Sequence, residues 1–291
     1  MTFAEVEKKY IEGLSNIYDE AEARNLAYYA IEDICMRSRS RIILDRSVRV
    51  SAQEELSLQM ILDELQTGKP IQYILGETEF FGFTFKVNPF VLIPRPETEE
   101  LVDWILTKVQ TRNSDGDEQG KPLRILDIGT GSGCIPVSIK KKLPKAEVYG
   151  IDISGEALET AVKNAVLNQA EVEFLKEDIL NPSARLSALT FDLIVSNPPY
   201  IAHKEKEQMH RNVLDFEPET ALFVPDNDPL KFYRHIADFG IEHLAHNGLL
   251  FFEINENFGQ ETVELLTSKG FKRVTLRKDL AGKDRMVFAA L

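Results

Sequence analysis

Cysteine is scarce: Cys35 and Cys134 are the only two in 291 residues, far apart and without metal-type spacing. They offer no disulfide framework and are expected to be reduced and structural, as in a cytoplasmic protein. Long apolar runs are missing too. None approaches the roughly 18 residues that span a membrane, and residues 1–10 lack the basic-then-apolar order of a signal peptide. A cytoplasmic location without membrane partners is therefore expected. Positive charge is in deficit, with 34 Lys and Arg against 47 Asp and Glu and a net charge of −13. Such a balance disfavours a long-range field that gathers nucleic acid, so no direct DNA binding is expected beyond a local basic patch. There is no internal repeat or low-complexity segment. His243 and His246 are three apart on a predicted helix but have no acidic third ligand in register, so no metal is expected.

What is present reads as two parts. In residues 1–75, Phe3, Val6, Tyr10, Leu14 and Ile17 recur at helical spacing, as do Ala23, Leu26, Ala27, Ala30, Ile31 and Ile34. Ser51 with Glu54 makes a capping-box pattern before a helix carrying Leu58, Ile61, Leu62 and Leu65, which Gly68 and Pro70 close. This is a small all-helical bundle, within which Arg37, Arg39, Arg41, Arg46 and Arg49 cluster as a solvated surface or a contact for an acidic partner or RNA. From residue 71 the pattern shifts to short aromatic and β-branched runs, and residues 80–87 look like a hairpin. The expected organisation is a helical domain over 1–75, a β-hairpin linker over 76–93 and a larger domain over 94–291. Pro94-Arg95-Pro96-Glu97-Thr98-Glu99 marks a helix start by capping and dipole physics. Residues 111–121, polar and glycine-containing, read as a flexible loop.

Beyond that loop, strand and helix alternate. Strands are expected over 123–128, 148–152, 172–175, 191–195 and 249–254. Helices are expected after Gly133 and over 156–168, 229–245 and 260–269. The tail adds two strands, 271–276 and 285–290, with no helix between them, so one runs antiparallel. An α/β fold with a mainly parallel sheet follows.

Two strand ends carry chemistry. Phe191, Leu193, Ile194 and Val195 form a buried strand that stops at Ser196-Asn197-Pro198-Pro199-Tyr200. Neither proline has an N–H, so this edge offers carbonyls and the Asn197 side-chain oxygen as acceptors with few donors, which suits a planar NH2 group. Holding both hydrogens aims the delocalised nitrogen lone pair at an electrophile, with the Tyr200 ring against the flat group. Asn197, Pro198 and Tyr200 are the candidate catalytic residues, and Asn197, Pro198, Pro199 and Tyr200 the acceptor site. The other strand end is Asp127-Ile128-Gly129-Thr130-Gly131-Ser132-Gly133, a tight turn before a helix N-terminus. Its G-x-G-x-G spacing differs from the G-x-G-x-x-G of a dinucleotide site. Asp152 ends the next strand, where a carboxylate accepts both ribose hydroxyls. Asp178 follows the third strand and is placed to hold an adenine amino group. A nucleoside cofactor beside an acceptor-rich edge needs an electrophile, and S-adenosylmethionine supplies one as a methyl group.

DIGTGSG with Asp152 resembles the cofactor loop of class I S-adenosylmethionine-dependent methyltransferases. SNPPYI, together with GKPIQYILGETEFFGFTFKVNPFVLIPRPETEELV over residues 68–102, is similar to the HemK-type (PrmC family) release factor glutamine methyltransferases, and the likeness covers nearly the whole chain. It implies a Rossmann-like fold with a seven-stranded, mainly parallel sheet behind the helical bundle. It further implies that Gly129, Thr130, Gly131, Ser132, Gly133, Asp152 and Asn197 contact S-adenosylmethionine, and that Asn197 through Tyr200 bind the glutamine of the Gly-Gly-Gln loop of peptide chain release factors. Family members often carry an aromatic residue after the acid that ends the third strand; this chain has Ile179, the candidate for the base face. The bundle, which supplies none of these residues, is expected to dock the protein substrate.

Rival classes make different use of the same residues. An adenine- or cytosine-amino methyltransferase of DNA uses similar Asn-Pro-Pro-aromatic segments on a flipped base, but no DNA-reading domain is recognisable. A nucleotide-binding scaffold would need no Asn-Pro-Pro-Tyr. A glutamine methyltransferase of a ribosomal protein is separated only by the resemblance over residues 68–102. His203 and His210 flank the loop after the acceptor segment and are candidate proton acceptors, although water serves equally.

Overall fold

The computed structural model describes residues 1–114 and 121–291. Helices α1 (Phe3–Leu14), α2 (Glu20–Cys35), α3 (Arg39–Leu44), α4 (Ala52–Leu65) and α5 (Ile71–Leu75) lead into the hairpin β1 (Glu77–Phe80) and β2 (Phe83–Lys86). There follow α6 (Pro96–Ser114), β3 (Arg124–Ile128), α7 (Cys134–Lys142), β4 (Glu147–Asp152), α8 (Gly155–Leu167), β5 (Glu173–Lys176), α9 (Ala184–Ser187) and β6 (Phe191–Ser196). Next come β7 (Ile201–Ala202), α10 (Arg211–Phe216), α11 (Glu219–Leu222), β8 (Phe223–Val224), α12 (Lys231–His243), β9 (Leu244–Glu253), α13 (Gly259–Ser268), β10 (Lys272–Lys278) and β11 (Asp284–Ala290).

The chain forms two compact units, Met1–Glu77 with His210–Phe216, and Thr78–Met209 with Glu217–Leu291. In the first, capping boxes start α1 (Thr2 with Glu5) and α4 (Ser51 with Glu54), each satisfying orphan amides at both ends of the motif. Val6, Tyr10, Leu14, Ile31 and Leu65 are fully buried, and the Tyr10 hydroxyl donates to the Leu58 carbonyl at 2.6 Å, tying α1 to α4. Within the arginine cluster, Arg46 pairs with buried Glu7 at 2.8 Å, Arg41 with Asp45 at 2.5 Å, and Arg39 stacks 4.7 Å from the Tyr28 ring. Of these two ion pairs only the one to Glu7 reaches a buried partner, on α1.

The second unit carries a seven-stranded sheet of order β10-β11-β9-β6-β3-β4-β5. The pairs from β9 through β5 are parallel, while β11 is antiparallel to both β9 and β10. Strand residues alternate between two cores, as a period of two demands. Ile125, Leu193, Val195 and Phe251 face one side with Trp104 and Ile105 of α6. Leu126, Ile194, Leu250 and Phe252 face the other with Tyr233 and Ile236 of α12. Trp104 meets Phe251 edge-on at 5.6 Å. Among the described residues no helix is long and apolar enough to cross a membrane.

Residues 71–75 form α5, which Gly76, at φ +75°, closes in the left-handed region. Two expectations are corrected. α6 continues to Ser114, so residues 111–114 of the expected loop are helix, while 115–120 lie outside the described residues. The strand expected from residue 249 begins at Leu244, with α12 ending at His243; an irregular register opposite Phe191 and Leu193 absorbs Asn247 at φ +60°. The elements within residues 201–224 are too short to show a period, so no helix or strand is expected there from sequence.

Candidate active site

The glycine turn is built from backbone. Gly129, Gly131 and Gly133 stand at φ +74°, +53° and +78°, conformations costly for any other residue. The turn is tied to β4, since the amides of Gly129 and Thr130 both donate to the Ile151 carbonyl at 2.9 Å. Asp152 receives the Gly131 amide on Oδ2 and the Ser154 amide on Oδ1, each at 2.9 Å. Burial raises the Asp152 carboxyl against the pull of these amides. A side chain at Gly129 or Gly131 would meet nothing within 4 Å, whereas a Cβ at Gly133 would come within 3.0 Å of the Ala161 Cβ. The first two border open space, and the third lets α7 pack on α8.

Beneath the turn lies Asp127, fully buried, with neither carboxylate oxygen hydrogen-bonded among the described atoms; the buried Thr130 hydroxyl is likewise without a partner. Burial pushes Asp127 up to about 7, with Thr130 opposing and the Asp152 charge adding. A buried acid left in this state costs stability.

A cavity of about 370 Å³ opens at the carboxyl ends of β3, β4, β5 and β6, where open α/β sheets bind ligands. Gly129 through Ser132, Asp152, Asp178 with Ile179, and Asn197 through Pro199 line it together. Gly133 and Tyr200 do not. The sequence reading sets the Tyr200 ring against the acceptor; here the ring packs with the α12-side core, and its hydroxyl donates to Glu253 Oε1 at 3.3 Å.

On the acceptor side the Ser196 hydroxyl donates to the Ile128 carbonyl at 2.7 Å, holding the end of β6 to the end of β3. Asn197 Nδ2 donates to Thr98 Oγ1 at 3.3 Å, in the first turn of α6, and that hydroxyl donates to Glu253 Oε2 at 2.6 Å. Glu253, at the end of β9, is 2% exposed. Burial raises its carboxyl while the Thr98 hydroxyl and the Arg285 charge oppose; burial and the Glu253 charge likewise push the Tyr200 phenol up. Asn255 Nδ2 donates to the Tyr200 carbonyl at 3.1 Å. Nearby, Arg95 grips buried Glu217 at 2.5 Å. Thr98 and Glu253 were not singled out from sequence, although Thr98 lies in the Pro-rich helix start and Glu253 is an acid ending the apolar run LLFFE.

The histidines are placed elsewhere. His203 stacks on Phe223 with centroids 5.2 Å apart, and Phe223 rather than His203 lines the cavity. His210 lies in the first unit. His243 stacks on Phe239 at 4.2 Å, with Nδ1 3.2 Å from the Leu189 carbonyl.

The strand order, the glycine turn after the first parallel strand and the acids after the next two define a class I methyltransferase. The family model of the methyltransferase small domain matches residues 112–216, and that of the PrmC N-terminal domain matches residues 9–76. The chain is 47% identical over 279 residues to the release factor glutamine methyltransferase of Flavobacterium psychrophilum, covering 96% of this chain and 95% of that one. It is 44% identical over 278 residues to the enzyme of the same description from Bacteroides thetaiotaomicron, covering 96% of each. Among solved structures, the hMettl16 catalytic domain in complex with MAT2A 3'UTR hairpin 6 superposes with a TM-score of 0.54 at 17% identity, over 72% of this chain and 75% of that one, a likeness of fold alone. The chain belongs to the release factor glutamine methyltransferases.

Proposed function

We propose that this enzyme methylates the side-chain amide nitrogen, N5, of the glutamine in the Gly-Gly-Gln loop of peptide chain release factors, in the cytoplasm, using S-adenosylmethionine. One observation carries the reading: the Asn197-Pro198-Pro199 edge and the glycine turn line a single cavity. The residues fit the cofactor. Open space beside Gly129 and Gly131 admits a ligand against the backbone, and the unpartnered Thr130 hydroxyl lines the cavity beside it. Asp152 would take the ribose hydroxyls, Asp178 the adenine amino group, and Ile179 would pack on the base in place of an aromatic ring.

When bound, S-adenosylmethionine supplies an electrophilic methyl group. The protein's part is orientation. Asn197 spends its NH2 on Thr98, so Oδ1 is the atom it presents to a ligand. With the Pro198 carbonyl it makes two acceptors for the two hydrogens of a glutamine amide, which directs the nitrogen lone pair out of the amide plane. So directed, the nitrogen would take the methyl group as the cofactor's C–S bond breaks to leave a neutral thioether, and would then lose one proton to water. The helical unit is the proposed docking domain for the protein substrate.

Labelled S-adenosylmethionine offered in parallel to a release factor, a ribosomal-protein mixture and duplex DNA tests the assignment. Mass spectrometry should place the label on the Gly-Gly-Gln glutamine. Label confined to a ribosomal protein or to a base would overturn it.

A further inference from the structure

We infer that Thr98 and Glu253 are positioning residues that fix which way the Asn197 amide points, and so which of its atoms meets the acceptor. The inference rests on the reading above, in which Asn197 Oδ1 holds the glutamine NH2. A side-chain amide has nearly the same shape in either orientation, so packing alone does not choose between oxygen and NH2; a hydrogen-bond partner must. The hydroxyl of Thr98 has one hydrogen. It is given to Glu253 Oε2 at 2.6 Å. Toward Asn197, Thr98 can then only accept, as it does from Nδ2 at 3.3 Å. The oxygen is thereby turned to the ligand side. If the Thr98 hydrogen were released, it could donate to Oδ1, and the flipped amide would present a donor to an NH2 that needs an acceptor.

Glu253 also receives the Tyr200 hydroxyl at 3.3 Å, so one buried carboxylate anchors both ends of the Asn-Pro-Pro-Tyr segment. Thr98 is 3% exposed and Glu253 2%, which keeps water from competing for these bonds. The half-buried guanidinium of Arg285, held by Asp279 at 3.2 Å, is the positive charge that favours the ionised form.

The test compares Thr98→Val, Thr98→Ser, Glu253→Gln and Asn197→Ala in the full-length enzyme on an intact release factor, with cofactor affinity and melting temperature measured on each. Thr98→Val keeps the shape and removes the hydroxyl, so kcat should fall roughly 10-fold or more, the size of one lost orienting hydrogen bond, while cofactor affinity is held. Thr98→Ser should restore most of the rate. Glu253→Gln, which can donate as well as accept, should lower kcat in the same sense. A normal rate for Thr98→Val beside a slow Asn197→Ala overturns the inference and leaves the site assignment standing. Equal losses for Thr98→Val and Thr98→Ser also overturn it, since a packing role alone would not be rescued by a hydroxyl. A normal rate for Asn197→Ala removes the reading on which the inference rests.

Discussion

The two loops that share the cavity are built on opposite principles. The glycine turn after β3 works through backbone, with left-handed conformations and amides directed at Ile151 and Asp152. The Asn-Pro-Pro segment after β6 has no amide hydrogens at its prolines and works through acceptors whose orientation comes from side chains on α6 and β9. The buried acids behind them differ in the same way. Among the described residues no hydrogen bond within distance and angle limits reaches Asp127, and Thr130 offsets its burial only in part, whereas Glu253 receives two hydroxyls. An acid without partners is energetically incomplete until something binds near it; an acid with both oxygens engaged is already fixed in its role. On the proposed function, one side of the cavity would take the cofactor and the other the acceptor NH2.

The largest expected effect breaks the acceptor side. Asn197→Ala should slow single-turnover methyl transfer by roughly 10²–10³-fold, equivalent to about 3–4 kcal/mol of oriented hydrogen bonding, with cofactor affinity by calorimetry nearly unchanged. A destabilised variant with a normal single-turnover rate would reduce Asn197 to a strand-ending turn.

Next comes the contrast between the two acids. Asp127 stands at about 7 in the folded chain against an ordinary 3.8, so the folded state binds that proton more tightly than the unfolded one. The resulting stability is full below pH 4 and is lost as pH rises through 7. Asp127→Asn removes the titration and should stabilise the ligand-free enzyme at pH 8 by on the order of 4 kcal/mol at most relative to wild type, with little difference at pH 4. Denaturant melts at the two pH values check this; an equal gap at both would mean that Asp127 is not held as a strained acid.

Asp152→Ala sharpens the donor side. Losing charge-assisted hydrogen bonds should weaken cofactor binding by roughly 1–3 kcal/mol while leaving the acceptor chemistry intact at saturating cofactor. Unchanged affinity in a folded variant would take Asp152 out of the site.

The smallest effect concerns the helical unit, where Leu44 is 78% exposed and Met36 87%. If these apolar residues touch the protein substrate, Leu44→Asp should raise KM for an intact release factor by about 1 kcal/mol and leave KM for a short Gly-Gly-Gln peptide alone. An equal change on both substrates, or none on either, would separate docking from this surface.

Legibility from sequence divides along the same line. The glycine turn could be read because it is written in seven consecutive residues, three of them glycines at the left-handed positions that only glycine adopts cheaply. The acceptor segment was half legible. Asn197, Pro198 and Pro199 announce a donor-poor edge, but Thr98 lies 99 positions from Asn197 and 155 from Glu253, and no local pattern links residues that meet only when the sheet assembles. Tyr200 shows the same limit, since its residue type suggested a ring against the acceptor while the turn after Pro199 sends its hydroxyl to Glu253. The strands of the seven-stranded sheet were legible from apolar runs, and one antiparallel member was expected in the tail because no helix separates its two strands; the structure shows it to be β11.

The central claim is that the enzyme recognises an NH2 by its two hydrogens. The most direct test replaces the Gly-Gly-Gln glutamine of the release factor by glutamate, which keeps the shape and removes both hydrogens and the nitrogen nucleophile. The account predicts label from S-adenosylmethionine on the native factor and none on the glutamate variant, although the variant still competes for binding. Label on the glutamate variant at the native rate would contradict it.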